Sequence, residues 1–285
     1  DLLYNTLSTC WERFGSAEGP VTRDSYESQD EPVIAVDSSN VPHIAYNYFN
    51  SSPGSFAVRY GNRVGGTPWS SVDIEGSSAR TVSLAINKDD IPELAYVTDA
   101  DDTASAAVGN ANDATSFTVE DLDTSVVDAN VTTTIPIAID HEGNTWVAYA
   151  DSDYDVILAK HEDGHPWSSW TINADKTNDA YKPALAIDGK DIYVFYQARD
   201  AGATQDAPAY DIFDSSTDAW SGEVIIDADE TSGYKGVSSK YATYGNHFGP
   251  NRIDFLFADT TTKEVMWSFI NLRRMPNKID NSSDF

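Results

Sequence analysis

The chain has 285 residues, 40% hydrophobic and 12% aromatic, enough for a packed core and too apolar for a disordered acidic tail. It carries 46 acidic against 18 basic residues, a formal net charge of −28. That balance disfavours nucleic acid as a partner, since phosphate binding needs a basic face. No apolar run approaches the roughly 18 residues that a membrane-crossing helix requires, and Cys10, being alone, excludes an intrachain disulfide.

Of the acids, 34 are Asp and 12 are Glu. Asp suits turns, where its short side chain bonds nearby backbone groups. Two causes compete for the excess. Adaptation to high salt is favoured, because the acids are spread along the whole chain; cation binding at particular loops is the other. The chain begins at Asp1 with no Met and no signal pattern, which reads as a processed mature end or an excerpt. The sequons at Asn50, Asn130 and Asn281 lean towards an extracellular location.

In chain order, Thr9–Phe14 is a short strand followed by an acidic loop. Then comes a repeat. Pro32-Val-Ile-Ala-Val-Asp37 with His43-Ile-Ala-Tyr46 recurs as Val82–Asn87 with Glu93–Tyr96, as Pro136–Asp140 with Trp146–Tyr149, and as Pro183–Asp188 with Tyr193–Tyr196. The aligned Ala35, Ala85, Ala138 and Ala186 stand 50, 53 and 48 residues apart by subtraction of their numbers. Each unit reads as two short apolar strands around an Asp-rich turn. A third strand follows (Phe56–Tyr60, Ser105–Val108, Val156–Lys160, Ala209–Phe213), and then a fourth that opens near an aromatic (Trp69–Ile74, Phe117–Val119, Trp167–Ile172, Trp220–Ile225). A degenerate fifth unit supplies Ser239–Tyr244, Arg252–Phe257 and Glu264–Ile270.

The expected fold is therefore all-β: a five-bladed β-propeller of four-stranded blades, closed by pairing of the N- and C-terminal strands. Residues 1–270 form the single domain, with blades at about 30–76, 78–124, 131–174, 181–228 and 237–270 plus 9–16. Residues 271–285 are a polar tail, locally basic at Arg273, Arg274 and Lys278, that suits docking to an acidic assembly partner.

On one face of such a ring, just before the inner strands, stand Tyr26, Arg80, Tyr181, Lys182, Tyr234 and Lys235. Cations with phenols at the axis suit a carboxylate or sulfate on a sugar. Salt bridges to the local Glu75, Asp179 and Asp229 are the structural alternative. The neighbouring loops are acidic. Asp99 and Asp101, and the alternating Asp151, Asp153 and Asp155, are candidate calcium ligands, although the Gly and Glu of an EF-hand are missing. The five His have no zinc-like spacing.

The run from Ile34 to Tyr46 resembles the repeats of sialidase-like bacterial propellers, a group that includes glycan lyases and lectin-like proteins. Ser216-Thr-Asp218-Ala-Trp220 keeps the Ser and Asp of the sialidase Asp-box but not its Gly or later Trp. Where the resemblance implies an arginine triad, the comparable places hold Arg80, Lys182 and Lys235. The expectation is a non-enzymatic recognition or structural module from a saline habitat, outside the cell, at its surface or on a virus particle. It would bind glycan or a surface protein through the central face. The alternative is a polysaccharide-active lyase or hydrolase, with Tyr181 or Tyr234 as acid or base and Arg80 and Lys182 on the sugar's carboxylate.

Overall fold

A computed structural model describes residues 3–6, 10–13, 29–50, 55–64, 69–75, 79–98, 103–124, 126, 135–172, 179–199, 206–226, 234–237, 252–259 and 264–271. Tyr26, Asp99, Asp101, the expected strand Ser239–Tyr244 and the tail from 272 lie outside them. All the described elements are strands or turns, and the sheets are antiparallel throughout.

A hairpin of β1 (Leu3–Thr6) and β2 (Cys10–Arg13) comes first. The first four-stranded sheet is β3 (Gln29–Val36), β4 (Pro42–Asn50), β5 (Ser55–Asn62) and β6 (Ser70–Glu75), in sequential order. The second is β7 (Ala79–Ile86), β8 (Pro92–Thr98), β9 (Thr103–Gly109) and β10 (Phe117–Asp123). The third is β11 (Ile137–Ile139), β12 (Thr145–Ala150), β13 (Val156–His161) and β14 (Ser168–Thr171). The fourth comprises β15 (Asp179–Asp188), β16 (Asp191–Arg199), β17 (Asp206–Asp214) and a broken outer strand, β18 (Ala219–Trp220) and β19 (Val224–Ile225). Last is a three-stranded sheet of β20 (Tyr234–Val237), β21 (Arg252–Asp259) and β22 (Glu264–Asn271).

Strand content therefore follows the repeat, with two differences. The outer strand of the fourth sheet is interrupted at Ser221–Glu223, because the buried Asp211 draws the chain in: its Oδ1 accepts from the Gly222 N–H (2.9 Å) and the Ser221 hydroxyl (3.0 Å). The second difference concerns closure. Among the described strands, Cys10–Arg13 pairs with Leu3–Thr6 and not with β22. A local hairpin competes with the long-range pairing and closes a far shorter loop.

The sheets pack face to face in chain order, β3 against β7, β7 against β11, β11 against β15, and β15 to β17 against β20. The second strands β4, β8, β12 and β16 are buried on both faces, so their sequences lose the alternation of a half-exposed strand; β8 and β12 are buried almost end to end. Aromatics wedge the outer gaps. Trp146, fully buried, meets Phe213 of the next sheet at 5.8 Å between centroids, and Trp170 meets the same ring at 4.8 Å. Tyr60 and Phe117 make the equivalent contact between the first and second sheets at 5.1 Å. Fully burying rings of this size is worth about 2–3 kcal/mol each. The outward side of β3 carries Ile34 and Val36, 58% and 52% exposed.

One turn is used three times to join first and second strands. Asp37 Oδ1 accepts from the N–H groups of Ser39 (2.9 Å) and Val41 (2.7 Å). Asn87 Oδ1 takes Asp89 and Ile91 (2.9 and 3.0 Å), and Asp140 Oδ1 takes Glu142 and Asn144 (3.0 and 2.9 Å). The fourth residue of each turn is left-handed: Asn40 at φ 62°, Asp90 at 62°, Gly143 at 93°. Asn, Asp and Gly are the types that tolerate this conformation. The other atom of the cap reaches six residues on: Asp140 Oδ2 accepts from Trp146 Nε1 (2.9 Å), Asn87 Nδ2 donates to Glu93 Oε1 (2.9 Å), and Asp37 Oδ2 lies 3.5 Å from His43 Nε2. Ser38 ties adjacent turns by donating to both oxygens of Asp90 (2.8 and 2.6 Å). Deeper in, the buried Glu93 accepts from the Thr145 hydroxyl of the next sheet.

Burial pushes the Asp140 carboxyl up, but the Trp146 and Asn144 side chains and the Asn144 and Glu142 N–H groups outweigh it and hold it below its ordinary value. A depressed carboxylate stabilises above its unfolded pKa of about 4 and loses that contribution as pH falls through the folded value. Asp140→Ala is expected to cost about 2 kcal/mol in urea unfolding at neutral pH. Asp140→Asn, whose single amide oxygen can keep the turn cap but then sets its NH2 against Trp146 Nε1–H, should cost less than Ala yet still destabilise, and should flatten the acid limb of stability below about pH 4.

Candidate functional site

The inner strand of four sheets carries a β-bulge at the same place. Pairing slips between Asp30 and Val33 in β3, Arg80 and Val82 in β7, Tyr181 and Ala184 in β15, and Lys235 and Val237 in β20. Counting back from the aligned alanines, Glu31, Thr81 and Lys182 are equivalent, and Thr81 and Lys182 both adopt left-handed φ, 52° and 55°. A β-branched residue there is strained by about 1–3 kcal/mol, and a bulge bends the strand and redirects its side chains. Four of the six candidate ligand residues share this end of the sheets within inner strands: Arg80 opposite Val97, Tyr181 opposite Gln197, Tyr234 opposite Asp259 and Lys235 opposite Ala258. Lys182 sits in the bulge itself, half-buried.

The expectation placed these residues in loops just before the inner strands. They stand within the strands instead, because the bulge lets two residues oppose one and pairing continues past it. Beneath this end lie polar side chains that the apolar repeat did not announce. Asn47 and Gln197, 3% and 1% exposed, occupy the second strands where Asp30 and Tyr181 pair, and Asn47 Oδ1 has no hydrogen-bond partner among the described residues. Their signal in the sequence was a polar residue directly after the second-strand tyrosine in two repeats, Tyr46-Asn47 and Tyr196-Gln197.

The acidic loops are a separate matter. Asp151 Oδ1 accepts from the N–H groups of Asp153 (3.0 Å) and Asp155 (2.9 Å), with Tyr154 left-handed at φ 63°. This is the same capped turn as at Asp37 and Asp140, so the Asp151 side chain has a structural role, while Asp153 and Asp155 enter the turn through their backbone N–H groups. Burial pushes the Asp151 carboxyl up, with the like charges of Asp155 and Asp153 adding to it against the two backbone donors. Among the described residues no group of three or more His, Cys, Asp or Glu is placed to hold a metal ion. The Asp-box remnant Ser216–Trp220 lies on the turn from β17 to β18, where Asp214 Oδ1 accepts from the Ser216 N–H (2.9 Å) and Asp218 is left-handed. Among the described residues no helix is long and apolar enough to cross a membrane.

No family model matches the chain, and no curated protein matches it in sequence. Solved structures do. The K499G variant of NanB sialidase from Streptococcus pneumoniae superposes with a TM-score of 0.51 at 10% identity, over 86% of this chain and 61% of that one. A triple arginine-to-alanine variant of AofleA from Arthrobotrys oligospora gives 0.50 at 12% identity, over 90% and 74%. The polysaccharide lyase Uly1 gives 0.48 at 10% identity, over 85% and 58%. The chain thus spans about three fifths of the sialidase it matches, and the shared feature is the fold: an all-β architecture of radially packed four-stranded sheets, of sialidase-like propeller type. The reading of the chain as a non-enzymatic recognition or structural module is corrected here, since a structure that shares its fold is a sialidase, an enzyme, and this sits better with the enzymatic alternative. Absence of a known catalytic motif was a weak ground for that reading, because propeller sites are assembled from separate sheets and leave no contiguous motif.

The capped turn and a calcium loop make different predictions for Asp151. Asp151→Ala is expected to lower stability by about 1–2 kcal/mol, and Asp153→Ala to change it by under about 0.5 kcal/mol. Thermal unfolding with calcium or with a chelator checks this: a calcium-induced rise in Tm abolished equally by both substitutions would assign the loop to the ion.

Proposed function

We propose that the chain is a glycan-active enzyme, a lyase or hydrolase cleaving an acidic polysaccharide at the bulged end of a five-bladed propeller. The observation that carries this is the repeated bulge, which sets Arg80, Tyr181, Lys182, Tyr234 and Lys235 at one end of three sheets in a protein with only 18 basic residues. Cations there attract an anionic chain that the rest of a −28 surface repels. Arg80 and Lys182 pair with the sugar carboxylate and neutralise it, which acidifies the adjacent ring C–H. Tyr181 or Tyr234 then removes that proton as the general base. The electron pair of the C–H bond forms a ring double bond as the glycosidic oxygen leaves with its bonding pair and takes up a proton. The product carries an unsaturated end.

The architecture belongs to the same proposal. Residues 1–270 form one ring of five blades. The fifth closes against the first and covers Ile34 and Val36, whose exposure on the free side of β3 favours such a neighbour. The setting is extracellular and saline, and calcium bound by the acidic loops is compatible with it.

Incubation with a panel of acidic polysaccharides should release unsaturated or reducing ends. Tyr181→Phe or Tyr234→Phe is expected to lower turnover about 10²–10⁴-fold, and Arg80→Ala or Lys182→Ala to lower kcat as well as raise KM. A folded protein that cleaves none of the panel sinks the proposal. Salt supplies an independent check. Screening relieves the acid–acid repulsion, so Tm should climb steadily with KCl up to molar concentration; a flat response removes the saline reading and leaves the enzyme untouched.

A further inference from the structure

At the opposite end of the sheets from the bulges, a cleft of about 200 Å³ opens between the second and third sheets. One wall is a stacked pair, His161 on Trp167, with centroids 5.2 Å apart and planes 25° from parallel. Trp167 is locked in place because it packs on the core cluster shared by those two sheets. Across the cleft, β10 presents Thr118 and Glu120; the turn after β13 presents Asp163 beside Gly164. Both carboxylates are exposed, they come from different sheets, and neither has a side-chain partner among the described residues. A Cβ built on Gly164 would meet nothing within 4 Å, so the mouth stays open there.

We infer that this cleft is a second saccharide site, which holds one neutral sugar ring. The cavity lies below the roughly 300 Å³ at which drug-sized ligands begin to fit, and matches a single pyranose. A fixed aromatic pair suits the C–H face of such a ring. Two unpaired acceptors on facing walls suit its hydroxyls, which donate to carboxylates in short, charge-assisted hydrogen bonds. An acidic sugar is excluded by the same two charges. An organic cation would find the carboxylates but only one stacked pair, with no enclosing rings to complete a cage. The site stands apart from Arg80, Lys182 and the tyrosines, so it is independent of the proposed reaction.

The experiment is saturation-transfer NMR on the full chain with the methyl glycosides of glucose, galactose and mannose at about 1–10 mM, the range of weak, millimolar affinities. At least one glycoside should receive saturation at its ring protons, and Glu120→Gln with Asp163→Asn should weaken binding tenfold or more at unchanged Tm. Cleavage of acidic polysaccharide should be the same in that variant and the parent. Absence of transfer to all three glycosides overturns the inference, as does undiminished transfer in the variant. Displacement of the glycosides by methylammonium at equal concentration would assign the cleft to cations and overturn it too. None of these failures bears on the cleavage assay, whose outcome rests on other residues.

Discussion

A sheet that is packed against neighbours on both faces has no side to spare for water, and this condition governs the rest of the molecule. The second strand of each unit meets it most strictly: Ile44–Tyr48, Leu94–Val97, Trp146–Ala150 and Ile192–Tyr196 are buried without a break. A polar side chain admitted to such a strand is costly unless another answers it, and among the described residues Asn47 Oδ1 is an exception. Glu93 is held by Asn87 and Thr145, Trp146 by Asp140, and His43 by Asp37 and Tyr60. Burial lowers the His43 pKa in spite of Asp37, so the ring is held neutral as a hydrogen-bonding element of the core. The turn caps thus do two things at once: they form the hairpin, and they satisfy the first polar group inside the sheet.

The two ends of the sheets differ in consequence. At the turn end, the capped loops are cross-linked from sheet to sheet through Ser38 and Asp90. At the other end the inner strands bulge, and strain is stored at Thr81 and Lys182. Strain persists where the surroundings over-determine it, and it clusters at working sites. The cationic and phenolic residues gather at that strained end, which is why the proposed chemistry is placed there. The wedge between the second and third sheets is of a different kind. It exists because two radial sheets diverge outwards, and Trp167 with His161 fills only part of the gap.

The repeat made four sheets legible in the residues, and the turn chemistry was legible too, since Asp-Ser-Ser-Asn and Asp-His-Glu-Gly are local patterns whose bonds run over two to four residues. Candidate residues on one face could be named, because a regular repeat maps position in the unit onto position in space. The bulges could not. They depend on how many residues of one strand oppose those of its partner, a relation between distant segments that leaves no local mark. The acidic run at residues 151–155 shows the converse: its alternation suggested an ion, and the fold adds a turn cap at Asp151 that the alternation did not announce.

By itself the sequence determined that this is an all-β repeat protein with sheets of four strands, because strand periodicity, turn residues and repeat length are properties of neighbouring residues. It also determined an acidic surface with a few grouped cations. Only the tertiary structure decided that those cations sit on bulged inner strands, that β1 and β2 pair with each other, and that a walled cleft forms from Glu120, Asp163 and Trp167. Each of these depends on contacts between segments tens of residues apart, whose relative placement is set by packing and not by any local preference.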